Sequence, residues 1–161
     1  MPRSPKPSHK RAAIIGIGNP LMGDDGAGIS VLDIIRGSAL PEGVEVIDMG
    51  TGGFSLLHLL AELDTAIIVD AVDFGGAPGE VTTFTPSDVR SAKPCQGLSL
   101  HEGDVMKVVS LAQQLGQCPK RVVICAIQPA EIAPGRGLST WVKEHLPLLA
   151  ELSLEEARRA L

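Results

Sequence analysis

Aromatic residues are scarce in this chain of 161 residues, which has three Phe, one Trp and no Tyr. Proteins that bind single-stranded nucleic acid by base stacking need aromatic side chains on their surface, so that function is not expected here. The same scarcity predicts a hydrophobic core built from Val, Ile, Leu and Ala. The length is that of a single domain.

Cysteine and long apolar runs are also in short supply. The three cysteines, Cys95, Cys118 and Cys125, are odd in number and lack CxxC spacing, which favours reduced thiols in a cytoplasmic protein over a disulfide framework or a zinc site. The longest apolar runs, at residues 12–17 and 66–69, are of strand length, far below the roughly 20 residues that span a bilayer. No membrane association is therefore expected.

Acidic residues are missing from the first 11 residues, which hold four basic side chains and read as a flexible basic arm. No apolar segment of signal-peptide type follows this arm, so it is not a secretory signal. Residues 12–161 are expected to form one domain, with 10 basic and 19 acidic side chains. Such an acidic body is a poor binder of nucleic acid or anionic membranes, but its carboxylates are available as ligands for a cation.

Short apolar runs alternate along the chain with segments of helical spacing. Strands are predicted at 12–17, 44–48, 65–72, 80–85 and 121–127, and helices at 27–36, 54–63, about 99–115, and from near Ser139 to the C-terminus. Residues 86–97 are predicted as a loop, and Pro147 is expected to kink or split the last helix. The alternation predicts an α/β fold, a three-layer sandwich with a five-stranded, mostly parallel twisted sheet and helices on both faces.

The glycine-rich loop after the first strand lies where a dinucleotide-binding turn would lie. Its spacing does not fit, because Gly16 and Gly18 would require a third glycine at the position of Leu21. Asp24 and Asp25 would also repel a pyrophosphate at the start of the next helix. A nucleotide-binding oxidoreductase is therefore the second choice, and these two acids either stabilise the helix dipole or bind a cation.

Two further residues point to a cation. Asp70 ends the most apolar strand, where a buried carboxylate needs a partner, a capping role or a metal. His101 is the second residue of a predicted helix that begins with a capping box, and a helix N-terminus keeps an imidazole neutral. Loops that follow the first and third strands of a parallel sheet face one crevice, so Asp25 and Asp70 are expected to converge there, joined by His101. Two carboxylates and an imidazole suit a divalent first-row metal, without deciding among nickel, zinc and manganese.

No HExxH zinc-peptidase motif and no GxSxG nucleophile motif is present. The chain instead resembles the nickel-iron hydrogenase maturation endopeptidases in five segments that occur in the family's order. These segments are GIGNPLMGDDGAG at 16–28, VIDMGTGG at 46–53, IIVDAVDFGGAPGE at 67–80, SLHEGDV at 99–105 and AIQP at 126–129.

The resemblance implies an endopeptidase that removes a C-terminal extension from the precursor of a hydrogenase large subunit after nickel insertion. The family's metal-contacting and catalytic residues fall on Asp25, Asp70 and His101, and the first of these is Glu in many members. Substrate contacts are expected from a second group: Asn19, Asp24, Thr51, Gly52 and Asp73.

Nickel is expected to arrive with the precursor, and another divalent metal can occupy the site of the isolated protein. The ion either marks the precursor for cleavage or acts as a Lewis acid that activates water, while Asp24 or Asp25 assists proton transfer. The protein is expected to be a cytoplasmic monomer whose partner is the precursor. A nickel-binding chaperone without catalytic activity, built on the same three residues, is the remaining alternative.

Overall fold

The computed structural model describes residues 11–91 and 100–160, apart from the side chains of 90–91 and 100–104. Five strands are present: β1 (Ala12–Gly16), β2 (Val44–Asp48), β3 (Thr65–Ala71), β4 (Val81–Phe84) and β5 (Arg121–Ile127). The α-helices are α1 (Ala27–Arg36), α2 (Phe54–Leu60), α3 (Pro86–Ser91), α4 (Leu100–Gln114) and α5 (Thr140–Arg158), and a 3-10 helix covers Gly23–Gly26.

The strands form one sheet in the order β2-β1-β3-β5-β4. All pairs are parallel except β4 with β5, which confirms the predicted mostly parallel sheet, and β4 forms one of its edges. From β1 the chain moves first to β2 on one side and then to β3 on the other. The loops that follow β1 and β3 therefore leave the sheet side by side, at the position where open α/β sheets bind ligands.

The core has two layers, one on each face of the sheet. Because side chains alternate along a strand, Ile14 of β1 packs with α1 and α5, whereas Ile15 packs with α2 and α4. None of the aromatic side chains is fully buried: Phe74 and Phe84 are half-buried, while Phe54 and Trp141 are exposed, at 77% and 57% respectively. The predicted aliphatic core with helices on both faces is confirmed.

A short helix, α3, occupies part of the region predicted as a loop. Thr85 and Asp88 cap its first turn reciprocally: Thr85 N–H donates to the Asp88 carboxylate (2.8 Å), and Asp88 N–H donates to Thr85 Oγ1 (3.4 Å). Pro86 at the first helical position is already restricted to a helical φ. The loop prediction was wrong because it ignored this capping box.

Helix α5 is continuous from Thr140 to Arg158 with Pro147 inside it. Pro147 was expected to kink or split this helix; the split is wrong, and the kink stays a prediction. Proline removes the hydrogen bond to the carbonyl group four residues earlier, at Lys143. Both residues are exposed, and water can bond to that carbonyl group in place of the missing N–H. The opposite side of the helix keeps its buried contacts with the sheet.

Arg11 is held by the folded domain rather than by a free arm. Its N–H donates to the Asp64 carboxylate (3.0 Å), and its guanidinium forms ion pairs with Glu45 (3.0 Å) and Glu62 (2.8 Å). Hydrogen bonds to these two carboxylates raise the pKa of Arg11. The predicted arm before it, residues 1–10, lies outside the described residues. Within the described ranges, no helix is long and apolar enough to cross a membrane.

Candidate active site

Two buried carboxylates lie at the carboxyl edge of neighbouring strands. Asp25 belongs to the 3-10 helix between β1 and α1 and is 5% exposed, and Asp70 lies near the end of β3 and is 6% exposed. Ile17 N–H donates to the Val69 carbonyl group (3.0 Å), so the chain that leads to Asp25 runs beside the residue before Asp70. The two strand ends therefore occupy one edge, as the sequence predicts.

The glycines of this loop allow the backbone to fold back onto the sheet. A Cβ atom at Gly18, whose φ is +150°, would lie 2.0 Å from the Asp25 carbonyl oxygen. A Cβ atom at Gly28 would lie 2.3 Å from the Ile17 oxygen and 2.4 Å from the Val69 oxygen. Close backbone packing thus explains the glycines without a bound pyrophosphate, and it brings Asp25 over the end of β1.

Asn19 orients Asp25. Its backbone N–H donates to Asp25 Oδ2 (2.9 Å), while its own Oδ1 accepts from the N–H of Leu21 (3.0 Å) and closes the turn. A carboxylate that accepts a backbone hydrogen bond is fixed in direction. Asn19 is half-buried and acts here on Asp25, and the predicted contact of Asn19 with substrate stays a prediction.

Asp24, next to Asp25, holds two parts of the chain together. Its fully buried carboxylate accepts hydrogen bonds from the N–H groups of Ala130 (2.8 Å), Glu131 (3.2 Å) and Ser139 (2.7 Å), and from Ser139 Oγ (2.8 Å). Ser139 is also the N-cap of α5 and accepts from the N–H of Val142 (3.4 Å). These four donors give Asp24 a structural role, and its predicted roles in substrate binding and proton transfer stay predictions.

The other predicted substrate contacts lie on loops at the same edge. Thr51 is exposed, and Gly52 is half-buried with φ +82°, in the loop that follows β2. Asp48, which could imitate the ribose-binding acid of a dinucleotide fold, instead accepts from the N–H of Gly50 (2.8 Å). Asp73 Oδ1 accepts from the N–H of Gly75 (3.1 Å) and therefore shapes the loop after β3.

Gln128 organises that loop, and the sequence reasoning did not include it among the site residues. Its Oε1 accepts from the N–H groups of Phe74 (2.9 Å) and Gly76 (3.1 Å), and its Nε2 donates to Asp73 Oδ1 (3.0 Å). The two backbone donors fix which end of the amide is oxygen. Gln128 directly follows β5, and Asp70 lies near the end of β3, so both are polar residues at the carboxyl ends of strands. The criterion that selected Asp70 in the sequence would also have selected Gln128.

Replacing Gln128 by alanine is expected to lower the free energy of unfolding by about 1–3 kcal/mol, because the half-buried partners Asp73, Phe74 and Gly76 lose their hydrogen bonds. Limited proteolysis of residues 72–80 should also become faster than in the wild type. Urea unfolding and mass spectrometry of the digest measure both effects. Gln114→Ala, at an exposed position of α4, is the matched control and should change neither. An unchanged cleavage rate for Gln128→Ala would contradict this role.

The third predicted ligand, His101, lies in the first turn of α4, and its side chain is outside the described residues. Among the side chains that are described, no group of three His, Cys, Asp or Glu residues is arranged to hold a metal ion. The trio of Asp25, Asp70 and His101 therefore stays a prediction. Of the cysteines, Cys95 is outside the described residues, and burial raises the pKa of the Cys125 thiol to about 12, which leaves no thiolate there at neutral pH.

A comparison with known families identifies this scaffold. Residues 31–156 match the model of the hydrogenase maturation protease family, HycI. The chain belongs to the hydrogenase maturation protease family. This confirms the resemblance found in the sequence motifs, and nothing in the similarity supports the nucleotide-binding oxidoreductase or the chaperone.

Individual members of the family resemble the chain over most of its length. It is 37% identical to hydrogenase expression/formation protein HupD of Rhodobacter capsulatus over 124 residues, which is 76% of this chain but only 59% of that protein. HupD of Bradyrhizobium diazoefficiens is 35% identical over 160 residues, 93% of this chain and 83% of that one. The solved structure of the hydrogenase maturating endopeptidase HybD from Escherichia coli has a TM-score of 0.79 at 28% identity, covering 93% of each chain. The chain therefore shares the fold of this maturating endopeptidase over 93% of its length.

Proposed function

We propose that this chain is an endopeptidase that removes the C-terminal extension of a [NiFe] hydrogenase large-subunit precursor after nickel has been inserted. The observation that carries the proposal is the placement of Asp25 and Asp70, both buried, at one edge of a hydrogenase maturation protease scaffold. The solved structure of HybD, a hydrogenase maturating endopeptidase, matches 93% of the chain and supports the assignment to a processing step.

Asp25 and Asp70 fit a divalent first-row cation, since hard carboxylate oxygens, completed by an imidazole, are suitable ligands for such ions. A bound cation would also stabilise the charge of carboxylates that are buried at this edge. We propose that the nickel of the precursor lies against these two carboxylates and His101. When bound, nickel supplies either the recognition point or the Lewis acidity that polarises a carbonyl group.

The chain's own residues orient the reaction. The N–H of Asn19 holds the Asp25 carboxylate in one direction. We propose that Asp25 accepts a proton from the attacking water and that Asp70 keeps the centre negatively charged. Neither of the described cysteines lies at this edge, since Cys125 is inside β5 and Cys118 precedes that strand, so we assign the reaction no thiol nucleophile. We place the reaction in the cytoplasm, as the spacing of the cysteines in the sequence favours.

The test is processing of the purified precursor. Nickel-loaded precursor incubated with the protein should lose its C-terminal peptide, detected by mass spectrometry of both products, whereas nickel-free precursor should stay intact. Precursor without its extension serves as the control for unspecific proteolysis. An intact nickel-loaded precursor would overturn the proposal, and binding without cleavage would support the chaperone instead.

A further inference from the structure

An apolar groove runs between α2 and α4, outside the acidic centre. Thr51, Gly53, Phe54 and Leu57 line it from the loop after β2 and from α2, and Lys107, Val108 and Leu111 line it from α4. Its volume is about 310 Å³, within the range of sites that hold several atoms of a ligand or the side chains of a peptide. The groove therefore has the size and the lining of a peptide-binding surface.

The apolar walls of this groove are exposed to a degree that folding alone does not require. Phe54, at the first position of α2, is 77% exposed, and Leu111 is 36% exposed. Leu57 and Val108 are half-buried and connect the groove to the core layer of α2 and α4. In a chain with only four aromatic residues, one of them lies on the surface beside other apolar side chains. Grouped exposed apolar side chains of this kind mark interaction sites.

The charge of the groove selects the partner. Among the described residues of the lining, Lys107 is the one that carries a charge, and it forms no ion pair with any other described residue. The chain as a whole carries a net charge of −5, so a positive charge between apolar walls has the sign opposite to that of the chain. An ammonium group in this position favours a partner with a carboxylate next to apolar side chains.

One end of the groove lies on a loop next to the acidic centre. The loop of Thr51 and Gly53 leaves the sheet at the carboxyl end of β2, beside the loop that carries Asp25. A hydrogen bond from Gly18 N–H to the Gly50 carbonyl oxygen (2.7 Å) joins these two loops. The end of the groove that Thr51 lines therefore lies at the same edge of the sheet as Asp25 and Asp70.

We infer that this groove binds the C-terminal extension of the precursor, through apolar side chains packed on Phe54 and Leu111 and a carboxylate paired with Lys107. The inference rests on the proposed function and adds where the substrate is held. Phe54, Leu111 and Lys107 determine substrate affinity, because they contact a part of the substrate remote from the cleaved bond.

The test is the KM of precursor processing for Phe54→Ala, Leu111→Ala and Lys107→Glu. Each variant should raise KM about tenfold and keep kcat within a factor of about three, as expected for anchor residues remote from the reaction. All three positions are exposed or line an open surface, so circular dichroism should show wild-type folding. The matched controls are Leu115→Ala and Lys143→Glu, exposed positions outside the groove that should keep the wild-type KM.

A synthetic peptide with the sequence of the extension distinguishes the source of the carboxylate. If the terminal carboxylate is the partner, amidation of the peptide weakens its binding to the wild type and has no effect on Lys107→Glu. If a side-chain carboxylate is the partner, replacing that acid by lysine restores binding to Lys107→Glu. Either result supports the inference.

Wild-type cleavage together with unchanged KM values in all three variants would overturn the docking site and leave the proposed function in place. Failure of the wild type to cleave the precursor would instead refute the proposed function itself. Sedimentation tests whether a second copy of the chain occupies the groove instead. A wild-type dimer that Phe54→Ala converts to a monomer would assign the groove to that copy and overturn the inference.

Discussion

Replacement of Asp70 by asparagine is expected to reduce precursor processing by about 10²–10⁴-fold, the range for removal of a group that acts directly on the reaction. Asparagine has nearly the same shape as aspartate but cannot carry the negative charge at the end of β3. The strand itself is held by its pairing with β1 and β5 and should fold normally. The rate is measured as the appearance of the released peptide, at saturating nickel-loaded precursor.

Asp33→Asn is the matched control, because Asp33 is exposed on α1 and forms only a surface ion pair with Arg36 (3.7 Å). It should process precursor at the wild-type rate. Asp25→Asn should behave like Asp70→Asn, and the double variant should lose little more than either single variant, since residues that act as a unit are not additive. Processing by Asp70→Asn within twofold of the wild type would exclude Asp70 from the catalytic centre.

Replacement of Asp24 by alanine is expected to act on stability instead, lowering the free energy of unfolding by about 3–5 kcal/mol. The substitution leaves the N–H groups of Ala130, Glu131 and Ser139 and the Ser139 hydroxyl without their acceptor. Each such group costs about 1–3 kcal/mol when it stays buried, with partial relief from entering water. Urea unfolding followed by circular dichroism gives the change directly.

The two neighbouring acids should therefore have different effects: loss of Asp24 lowers the free energy of unfolding, and loss of Asp25 lowers the rate of precursor processing. Glu151→Ala, at an exposed position of α5, is the control for removing a carboxylate and should stay within about 0.5 kcal/mol of the wild type. A loss below about 1 kcal/mol for Asp24→Ala would contradict its structural role.

Hydrophobic patterning was sufficient to predict most of the sheet. Strands β1, β3 and β5 are apolar runs buried on both faces, and their alternation with helical segments indicates a parallel sheet covered by helices. The same argument brought Asp25 and Asp70 to one edge. Helix α3 could also have been predicted from the local sequence, because Thr85 and Asp88 have the spacing of a capping box. The loop prediction overlooked this signal.

The roles of Asp24 and Gln128 could not be predicted in this way. Asp24 binds donors more than 100 residues away in the chain, at Ala130 and Ser139. Gln128 binds a loop more than 50 residues earlier. Sequence periodicity describes which face of an element is buried, but it contains no information on which loops meet at the end of a sheet. Only the structure shows that the adjacent residues Asp24 and Asp25 accept hydrogen bonds from different parts of the chain.

Trp141 is the one tryptophan of the chain, and its fluorescence can be used as a local spectroscopic probe. The chain has one indole and no phenol, so the near-ultraviolet emission of the whole molecule comes from a single residue at the start of α5. That residue is two positions after Ser139, which Asp24 holds. Emission therefore monitors the opening of this junction, while far-ultraviolet dichroism monitors loss of the helices, and comparing the two signals shows whether the junction opens before the sheet.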